Sequence, residues 1–255
     1  MKRTPIIAGN WKMHTTFESA AELCRGVQER ADGVQGVEKV VCPPFPFLTL
    51  ASDLLKSSSI KVGAQNVYWE EKGAFTGEVS TPMLKGLVDF VIIGHSERRA
   101  YFGETDETVS KKVKAVLTAG LRPIMCVGET EAERESAQTD AVLIRQVRDG
   151  LRDVEMPLGF AIAYEPVWAI GTGKAASGPM ANEAIGLIRS QVTALFGDDK
   201  GQSLRILYGG SVTAENIAEF IAESEIDGAL VGGACLKADS FAGIIEQSAR
   251  ISATK

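Results

Sequence analysis

One stretch of the sequence reads Phe90-Val91-Ile92-Ile93-Gly94-His95-Ser96-Glu97-Arg98-Arg99, an apolar run followed by a glycine and a charged segment. Strands that are continuously apolar are typical of parallel sheets covered on both faces, because a strand with one wet face alternates instead. Seven further short apolar runs with flanking turn residues occur at residues 6–8, 39–42, 60–64, 123–127, 159–163, 204–207 and 229–231. The sequence therefore predicts eight parallel strands.

Segments with helical periodicity separate these runs. Apolar residues at helical spacing in residues 20–31 and 185–195 indicate two helices that each bury one face. The segments Thr15–Glu18 and Thr130–Glu133 have the capping-box pattern of a helix start. The strands recur about every 30 residues, which is the size of one βα unit. We predict an α/β fold with a (β/α)8 barrel as a single domain over residues 1–255; an open, doubly wound sheet is the alternative.

Composition narrows the class of protein. The chain has 255 residues, 45% of them apolar, and its 27 basic and 33 acidic residues give a net charge of −6 without a long block of one sign. Nucleic-acid binding needs clustered basic residues, so we expect no nucleic-acid partner. We also expect no membrane partner, because no apolar run is long enough for a signal peptide or a membrane span.

Cysteines and histidines are sparse. The four cysteines are scattered without a CxxC pair, which indicates a reducing compartment, and we expect a cytoplasmic protein. The only two histidines are His14 and His95, which are too few for a histidine-based metal site. We therefore expect no metal.

The catalytic residues of such barrels lie where the strands end at their carboxyl side. Glu165 follows an almost wholly apolar run there, and we predict that lost hydration raises its pKa and makes it a general base. A salt-bridged structural role is the alternative. The following residues, 166–176, are too apolar for a plain surface connection, so we predict a lid that excludes water.

Other strand ends carry polar or glycine-rich groups. His95 is placed to donate a hydrogen bond as a neutral ring, because a helix start disfavours its charged form. Lys12, beside Asn10, supplies the local cation that an acidic protein needs for an anionic substrate. Gly209-Gly210-Ser211 and Gly232-Gly233 follow the last two strands, where barrels often bind phosphate. The alternatives without a catalytic role are a structural histidine for His95, a solvated lysine for Lys12 and ordinary turns for the glycine-rich segments.

The chain resembles the triosephosphate isomerase family over essentially its full length, and several short segments carry the resemblance. The matching residues are Asn10-Trp11-Lys12, 94–99, Ala163-Tyr164-Glu165-Pro166-Val167-Trp168-Ala169-Ile170-Gly171-Thr172-Gly173, 208–211 and 231–233. The resemblance implies a TIM barrel enzyme, an aldose-ketose isomerase of glycolysis and gluconeogenesis. It would interconvert dihydroxyacetone phosphate and D-glyceraldehyde 3-phosphate through an enediolate, without a cofactor.

The resemblance also assigns roles. It makes Glu165 the base, His95 the electrophile, Lys12 the stabiliser of negative charge and Asn10 a hydrogen-bond donor. It implies a phosphate site formed by Gly171, Ser211 and Gly233, with Gly232 beside them. It further implies supporting positions at Ser96, Glu97, Ile170, Tyr208 and Leu230; among these, Ile170 and Leu230 would form an apolar clamp on the base.

Family resemblance suggests a homodimer as well. The predicted contact is the loop after the third strand, residues 65–79, whose aromatic residues would be unusual on a monomer. The expected interface residues are His14, Phe75, Thr76, Glu78 and Arg98, and Thr76 would reach the partner's active site.

Two other functions compete. A Schiff-base aldolase needs a buried lysine inside the barrel, but the sixth strand ends in Glu165. A barrel without activity, kept as a binding protein, would have lost the base, the histidine or the lysine, and all three are present.

Overall fold

Eight parallel strands close into a barrel in the computed structural model, which describes residues 3–155, 159–170 and 176–254. Each strand pairs with the next along the chain, and the eighth pairs with the first. The strands are β1 (Ile6–Asn10), β2 (Glu38–Cys42), β3 (Ile60–Ala64), β4 (Phe90–Ile93), β5 (Arg122–Val127), β6 (Ala161–Tyr164), β7 (Arg205–Tyr208) and β8 (Gly228–Val231). The closing β1–β8 pair confirms the barrel and excludes the open, doubly wound sheet.

Helices follow the strands and surround the barrel. They are α1 (Phe17–Ala31), α2 (Leu48–Leu55), α3 (Thr81–Leu84), α4 (Ser96–Phe102), α5 (Asp106–Thr118), α6 (Glu131–Glu135), α7 (Thr139–Gly150), α8 (Gly178–Phe196), α9 (Asp198–Ser203), α10 (Ile217–Ala222) and α11 (Ala238–Thr254). Short 3-10 turns lie at Phe45–Phe47, Val167–Ala169 and Gly233–Leu236.

The helix starts differ in part from the prediction. Thr130 and Glu133 form the predicted capping box at α6. At α1 the prediction of Thr15 and Glu18 was wrong: the box is formed by Thr16 and Ser19. Thr15 has a φ of 81°, outside the extended region that an N-cap residue adopts, so the helix begins one residue later.

Apolar side chains form two layers. The larger layer lies between the strands and the helices and includes the predicted buried face of α1. The predicted face of α8 is buried except at Leu195, which is 46% exposed near the end of that helix. The smaller layer fills the barrel interior and consists of Ile6, Ala8, Val40, Cys42, Phe90, Ile92, Ile124, Cys126, Ala161, Ala163, Leu207 and Leu230.

Ion pairs occupy the amino end of the barrel. The Glu38 carboxylate binds Arg122 at 2.6 Å and also Arg205, and Arg122 lies over the Phe90 ring. The interior is packed with side chains, and barrels of this kind place their active sites at the carboxyl ends of the strands.

Candidate active site

A cavity of roughly 410 Å³ opens at the carboxyl ends of the strands. Its walls contain many of the residues that the sequence predicted for the site, contributed by the ends of five strands and the connections that follow them. The lining residues are Asn10, Lys12, His95, Glu165, Ile170, Gly209, Gly210, Ser211, Val212, Thr213, Leu230, Gly232, Gly233 and Ala234.

Glu165 and His95 are in direct contact in this cavity. Nε2 of His95 lies 2.9 Å from one carboxylate oxygen of Glu165, and the backbone amide of Ser96 donates to the other oxygen at 2.8 Å. Both side chains are buried, with 2% and 6% of Glu165 and His95 exposed. The fold thus places an acid–base pair at the bottom of the cavity, with most of both side chains covered by protein.

The position of His95 depends on the turn between β4 and α4. Gly94 has a φ of 73°, a left-handed conformation that glycine adopts without strain, and a side chain there would meet Val109 at 2.9 Å. His95 follows as the N-cap residue of α4, and its Nδ1 accepts a hydrogen bond from the Glu97 amide at 3.2 Å. Because Nδ1 is an acceptor, a neutral ring carries its proton on Nε2, facing Glu165.

The pKa of Glu165 is lowered from its usual value, so the prediction of a raised pKa was wrong for this conformation. Burial of the carboxylate does raise its pKa. The charge of His95, the hydrogen bonds from His95 and the Ser96 amide, and the charge of Lys12 together outweigh that effect.

The pKa of His95 moves in the opposite direction. Burial of the ring lowers its pKa, but the charge and hydrogen bond of Glu165 outweigh burial, with a further contribution from Glu97. The pKa of His95 is therefore raised while it touches Glu165. The neutral ring that the sequence predicted stays a prediction for the substrate-bound state.

Lys12 has an unusual backbone conformation, with a φ of 53°. Such a conformation costs free energy in a residue other than glycine and needs support from its surroundings. The Lys12 amide donates to the Asn10 side chain at 3.0 Å, and Gln65 donates to the Lys12 carbonyl at 2.9 Å. Its Nζ binds the Glu97 carboxylate. Glu97 thus pairs with the cation, and Asn10 holds the backbone of Lys12.

The two glycine-rich turns border the same cavity as Lys12. Gly209 is packed so closely that a Cβ atom would lie 2.9 Å from Cγ of Glu165. Gly232 is close to Lys12: a Cβ atom there would lie 3.6 Å from Cε of that lysine. Ser211 and Gly233 are exposed at the cavity rim. Backbone amides and a cation therefore share one wall, an arrangement suited to an anionic group.

The segment after β6 carries Ile170 and part of the predicted lid, while two further supporting residues, Tyr208 and Leu230, lie in β7 and β8. Ile170 and Leu230 both line the cavity. Tyr208 is buried; burial raises its pKa to about 12, while the Ala176 amide acts in the opposite direction. Gly171 and the rest of residues 171–175 lie outside the described residues, so the predicted roles of Gly171 and of the lid are untested.

Glu129 anchors the start of this segment. Its side chain is fully buried, and one carboxylate oxygen accepts hydrogen bonds from the Tyr164 hydroxyl at 3.1 Å and from the Trp168 indole at 2.8 Å. Arg134 binds the same oxygen and lies over the Trp168 ring. No local motif marks Glu129 in the sequence.

The predicted interface residues lie outside the cavity. His14, Phe75, Thr76 and Glu78 are exposed, and Arg98 is half-buried with an ion pair to Glu104 at 2.7 Å.

The aromatic residues of the loop between β3 and α3 are less exposed than predicted. Tyr68 stacks on Trp69 with ring centroids 4.1 Å apart and also contacts Phe75 at 4.6 Å. Of these three aromatic residues, only Phe75 is classed as exposed, with 40% of its surface accessible to solvent.

Three further residues at the site had not been predicted from the sequence. Gln65 supports Lys12, and the Cys235 thiol donates to the Asn10 carbonyl at 3.4 Å. Cys126 lies beside Glu165, and burial raises the pKa of its thiol well above the usual value, with Glu165 adding to the effect. These contacts join distant segments, so no local pattern could reveal them.

Within residues 3–155, 159–170 and 176–254, no cluster of three or more histidine, cysteine, aspartate or glutamate side chains could hold a metal ion. Among the helices of that part of the chain, none combines the length and apolarity that crossing a lipid bilayer requires. All four cysteines are free and buried.

Comparison with known proteins gives a single family. The family model described as triosephosphate isomerase matches residues 5–248. The triosephosphate isomerase of Dehalococcoides mccartyi strain CBDB1 is 52% identical over 249 residues, covering 98% of both chains. That of Dictyoglomus thermophilum is 51% identical, covering 96% of this chain and 99% of that protein. The triosephosphate isomerase of Clostridium tetani is 53% identical, and the match covers 95% of this chain and 96% of that protein.

Proposed function

The chain belongs to the triosephosphate isomerase family, and we propose on that premise that it interconverts dihydroxyacetone phosphate and D-glyceraldehyde 3-phosphate. The observation that supports this most directly is the contact between Glu165 and His95 beside Lys12 in one cavity. Moving a proton between adjacent carbons requires a base, a donor to the substrate oxygens and a cation near the developing negative charge. These three residues supply those groups.

Substrate binding starts the reaction by changing the partner of His95. The Nε2–H of His95 faces Glu165 in the free protein, and a substrate carbonyl oxygen takes the place of the carboxylate as its acceptor. The Glu165 carboxylate is then free to turn toward the substrate carbon. This exchange removes the interactions with His95 and Ser96 that lower the pKa of Glu165. Burial remains, so the pKa rises and the carboxylate becomes a stronger base.

Proton transfer proceeds in two steps on the same carboxylate. Glu165 removes a proton from one carbon of the bound triose phosphate, and electron density moves to the carbonyl oxygen to form an enediolate. His95 donates a hydrogen bond to the oxygens, and Lys12 stabilises the negative charge with Asn10 as a neighbouring donor. The hydroxyl proton passes from one substrate oxygen to the other, with His95 between them, and Glu165 returns its own proton to the adjacent carbon. The oxygen that lost its proton becomes the new carbonyl and the other becomes the new hydroxyl, so no atom is gained or lost.

The substrate phosphate is held at the glycine-rich turns that follow β7 and β8. Amides of Ser211 and Gly233, with Gly232 beside them, are the groups that bind it, and Gly171 joins them from the lid. Ile170 and Leu230 close over the base and exclude water, which protects the enediolate. Lys12 attracts the anion in a protein whose net charge is −6.

The protein functions as a homodimer in this proposal. Six of the large apolar side chains that are exposed in the described part of the chain lie on one side of the barrel: Met13, Phe17, Phe75, Met83, Tyr101 and Phe102. They belong to the loop after β1 and the start of α1, to the loop after β3 with α3, and to α4. An apolar surface of this kind is typical of a protein interface. A second copy, docked through the loop after β3, would cover it.

The wider setting follows from the same reaction. We place the enzyme in glycolysis and gluconeogenesis, in the cytoplasm, with residues 1–255 acting as a single catalytic domain. The chemistry requires no cofactor or metal, since a carboxylate, an imidazole and a lysine supply every proton transfer and charge that it needs.

An assay of the purified protein tests the proposal. Dihydroxyacetone phosphate is supplied, and glyceraldehyde 3-phosphate is measured with a coupling dehydrogenase. We expect rapid turnover in the unmodified protein and a large loss in Glu165→Gln, which keeps the side-chain shape but removes the base. A folded preparation without isomerase activity would contradict the proposed function.

A further inference from the structure

Asn216 bridges the turn that follows β7. Its side-chain NH2 donates to the Ser211 carbonyl at 3.1 Å, and its side-chain oxygen accepts from the Thr213 amide at 2.8 Å. The residue is half-buried and comes just before α10. One amide side chain thus joins two backbone groups of the cavity wall.

This bridge determines which backbone amides of the turn are free for a ligand. The Thr213 amide already donates to Asn216, so it is not available. The C=O and N–H of a trans peptide point in opposite directions. When the Ser211 carbonyl faces Asn216, the Val212 amide is therefore directed away from it. In the part of the chain that the structure describes, the Ser211 and Val212 amides donate to no protein group.

A second side chain holds the same segment from α11. Gln247 donates from its side-chain NH2 to the Ala214 carbonyl. Side chains therefore hold three backbone groups of the turn: Asn216, at the start of α10, holds those of Ser211 and Thr213, and Gln247 of α11 holds that of Ala214. A turn held in this way loses little conformational entropy when it binds a ligand, and a preorganised site gains affinity for that reason.

We propose that Asn216 is a positioning residue that presents the Ser211 and Val212 amides to the phosphoryl group of the substrate. The inference rests on the proposed function, which places the phosphate at this turn. It adds the residue that selects and orients the amide donors. Asn216 does not line the cavity and acts only through the backbone that it holds.

The test is the variant Asn216→Ala, which removes both hydrogen bonds. We measure kcat and KM with the triose phosphate, and the inhibition constant of inorganic phosphate as a probe of the turn alone. Losing about 1 kcal/mol of preorganisation weakens binding roughly five- to tenfold. We expect KM and the phosphate inhibition constant to rise together by this factor. Because ground-state and transition-state binding fall alike, kcat should change less than about threefold.

Asn182→Ala is the matched control. The Asn182 side chain also accepts a backbone hydrogen bond, from the Glu225 amide at 2.9 Å, but it holds the loop that leads into β8 and not the cavity wall. We expect wild-type KM and phosphate inhibition in this variant. The thermal midpoints of both variants show how much stability each side chain contributes, independently of binding.

Two results would overturn the inference. One is an Asn216→Ala enzyme with the wild-type KM and phosphate inhibition constant. The other is a fall in kcat alone that follows the loss of folded protein, which would indicate a purely structural role. If inorganic phosphate fails to inhibit the unmodified enzyme and shifts no NMR signal of the Ser211 or Val212 amide, the phosphate site of the proposed function is wrong instead.

Discussion

The carboxylate of Glu165 is subject to two opposing effects on its pKa. Burial raises the pKa, while His95, the Ser96 amide and Lys12 lower it. The described conformation therefore favours the charged carboxylate before substrate binds. The same side chain can become a stronger base when these contacts are exchanged for the substrate, because its burial does not depend on them.

Replacing His95 separates these effects. In His95→Gln the side chain can still donate a hydrogen bond but carries no positive charge, so burial weighs more heavily and the pKa of Glu165 should rise. The measurement is a 13C NMR titration of the Glu165 carboxyl group. Since the base must be deprotonated, the remaining activity should be lost on acidification at a higher pH than in the unmodified enzyme. His14→Gln changes the other histidine, which is exposed, and should leave the pKa of Glu165 as it was. An unshifted titration in His95→Gln would contradict this account.

Lys12 is the cation of the cavity wall, and its removal should affect both binding and rate. Lys12→Ala loses the charge next to Gly232 and should lower kcat/KM by on the order of 10²–10³. Lys12→Arg should recover binding better than rate, because a planar guanidinium differs in shape from an ammonium group. Lys56→Ala removes an exposed lysine beyond α2 and should behave as wild type. Steady-state kinetics of the three variants measures these effects. An unchanged KM and kcat in Lys12→Ala would show that Lys12 has no role in the mechanism.

At the level of single residues, the sequence identified candidate functional groups that the fold brings into one cavity, but not their electrostatics. Glu165, His95 and Lys12 were predicted because each lies within two residues of the carboxyl end of a strand, where barrels place their active sites. The direction of the Glu165 pKa shift was missed because its causes come from other segments: His95 and Ser96 after β4, and Lys12 after β1. Asn216 and Gln65 also escaped notice, since an isolated amide side chain carries no signature of the backbone groups it will bind.

Among the secondary-structure elements, the end of α1 depends on a lysine from the neighbouring strand. Lys39 of β2 is 2% exposed, and its Nζ donates to the carbonyls of Ala31, Asp32 and Val34 at 2.7–3.0 Å. The last carbonyls of a helix have no partner within it, so they need donors from elsewhere. The Ala31 carbonyl also accepts from the Val34 amide at 3.1 Å and the Asp32 carbonyl from the Ser59 hydroxyl at 2.8 Å, whereas among the described residues the Val34 carbonyl has Lys39 alone as its donor. Burial lowers the pKa of Lys39, although the Asp32 charge opposes the shift.

Lys39→Met should therefore destabilise the fold without changing the chemistry. It keeps the length of the side chain but removes three hydrogen bonds from a charged donor and leaves the half-buried Val34 carbonyl without its donor, which should cost about 1–3 kcal/mol of unfolding free energy. Lys61→Met on β3 is the matched control: its ion pair with Asp89, at 3.9 Å and half-exposed, should contribute less than about 1 kcal/mol. Urea denaturation measures the difference, and kcat per folded molecule should be unchanged. Equal stability in the two variants would show that the Lys39 hydrogen bonds contribute little.

The elements themselves were predictable because their signal is local. Eight apolar runs were recognisable since strands buried on both faces cannot alternate, and the observed bounds agree within about two residues. Two details of the helices differ from the prediction: the residue at which α1 begins and the burial of Leu195. Thr15 and Thr16 are adjacent N-cap candidates, and the left-handed backbone of Thr15 decides between them. Leu195 follows the helical period of α8 but lies beyond the part of that helix that the barrel covers.

For the molecule as a whole, the proposed dimer connects the exposed apolar surface with catalysis. The loop after β1 is joined to the loop after β3 by Gln65 and to α4 by the Lys12–Glu97 ion pair. The exposed apolar side chains therefore lie on the same segments that hold Lys12 and His95. Burying each large apolar side chain in a partner would contribute roughly 1.5–3 kcal/mol. Association would then stabilise the catalytic residues as well as the apolar surface.

Thr76→Arg tests this connection. Thr76 is exposed near Phe75, and in the proposed dimer it reaches the active site of the partner subunit. An arginine there is too large for that contact and brings a positive charge close to Lys12 of the partner subunit, so both packing and electrostatics oppose association. We expect a particle of half the mass at low micromolar concentration and a large fall in kcat, with partial recovery of both as the concentration is raised. Sedimentation and activity are measured on the same samples across a dilution series.

Ser190→Arg is the control for this prediction. It places the same residue on the exposed face of α8, on the opposite side of the barrel, and should remain a dimer with full activity. A Thr76→Arg enzyme that sediments as a monomer yet turns over at the wild-type rate would show that each barrel is complete by itself, because its Lys12 and His95 would then keep their positions without a partner.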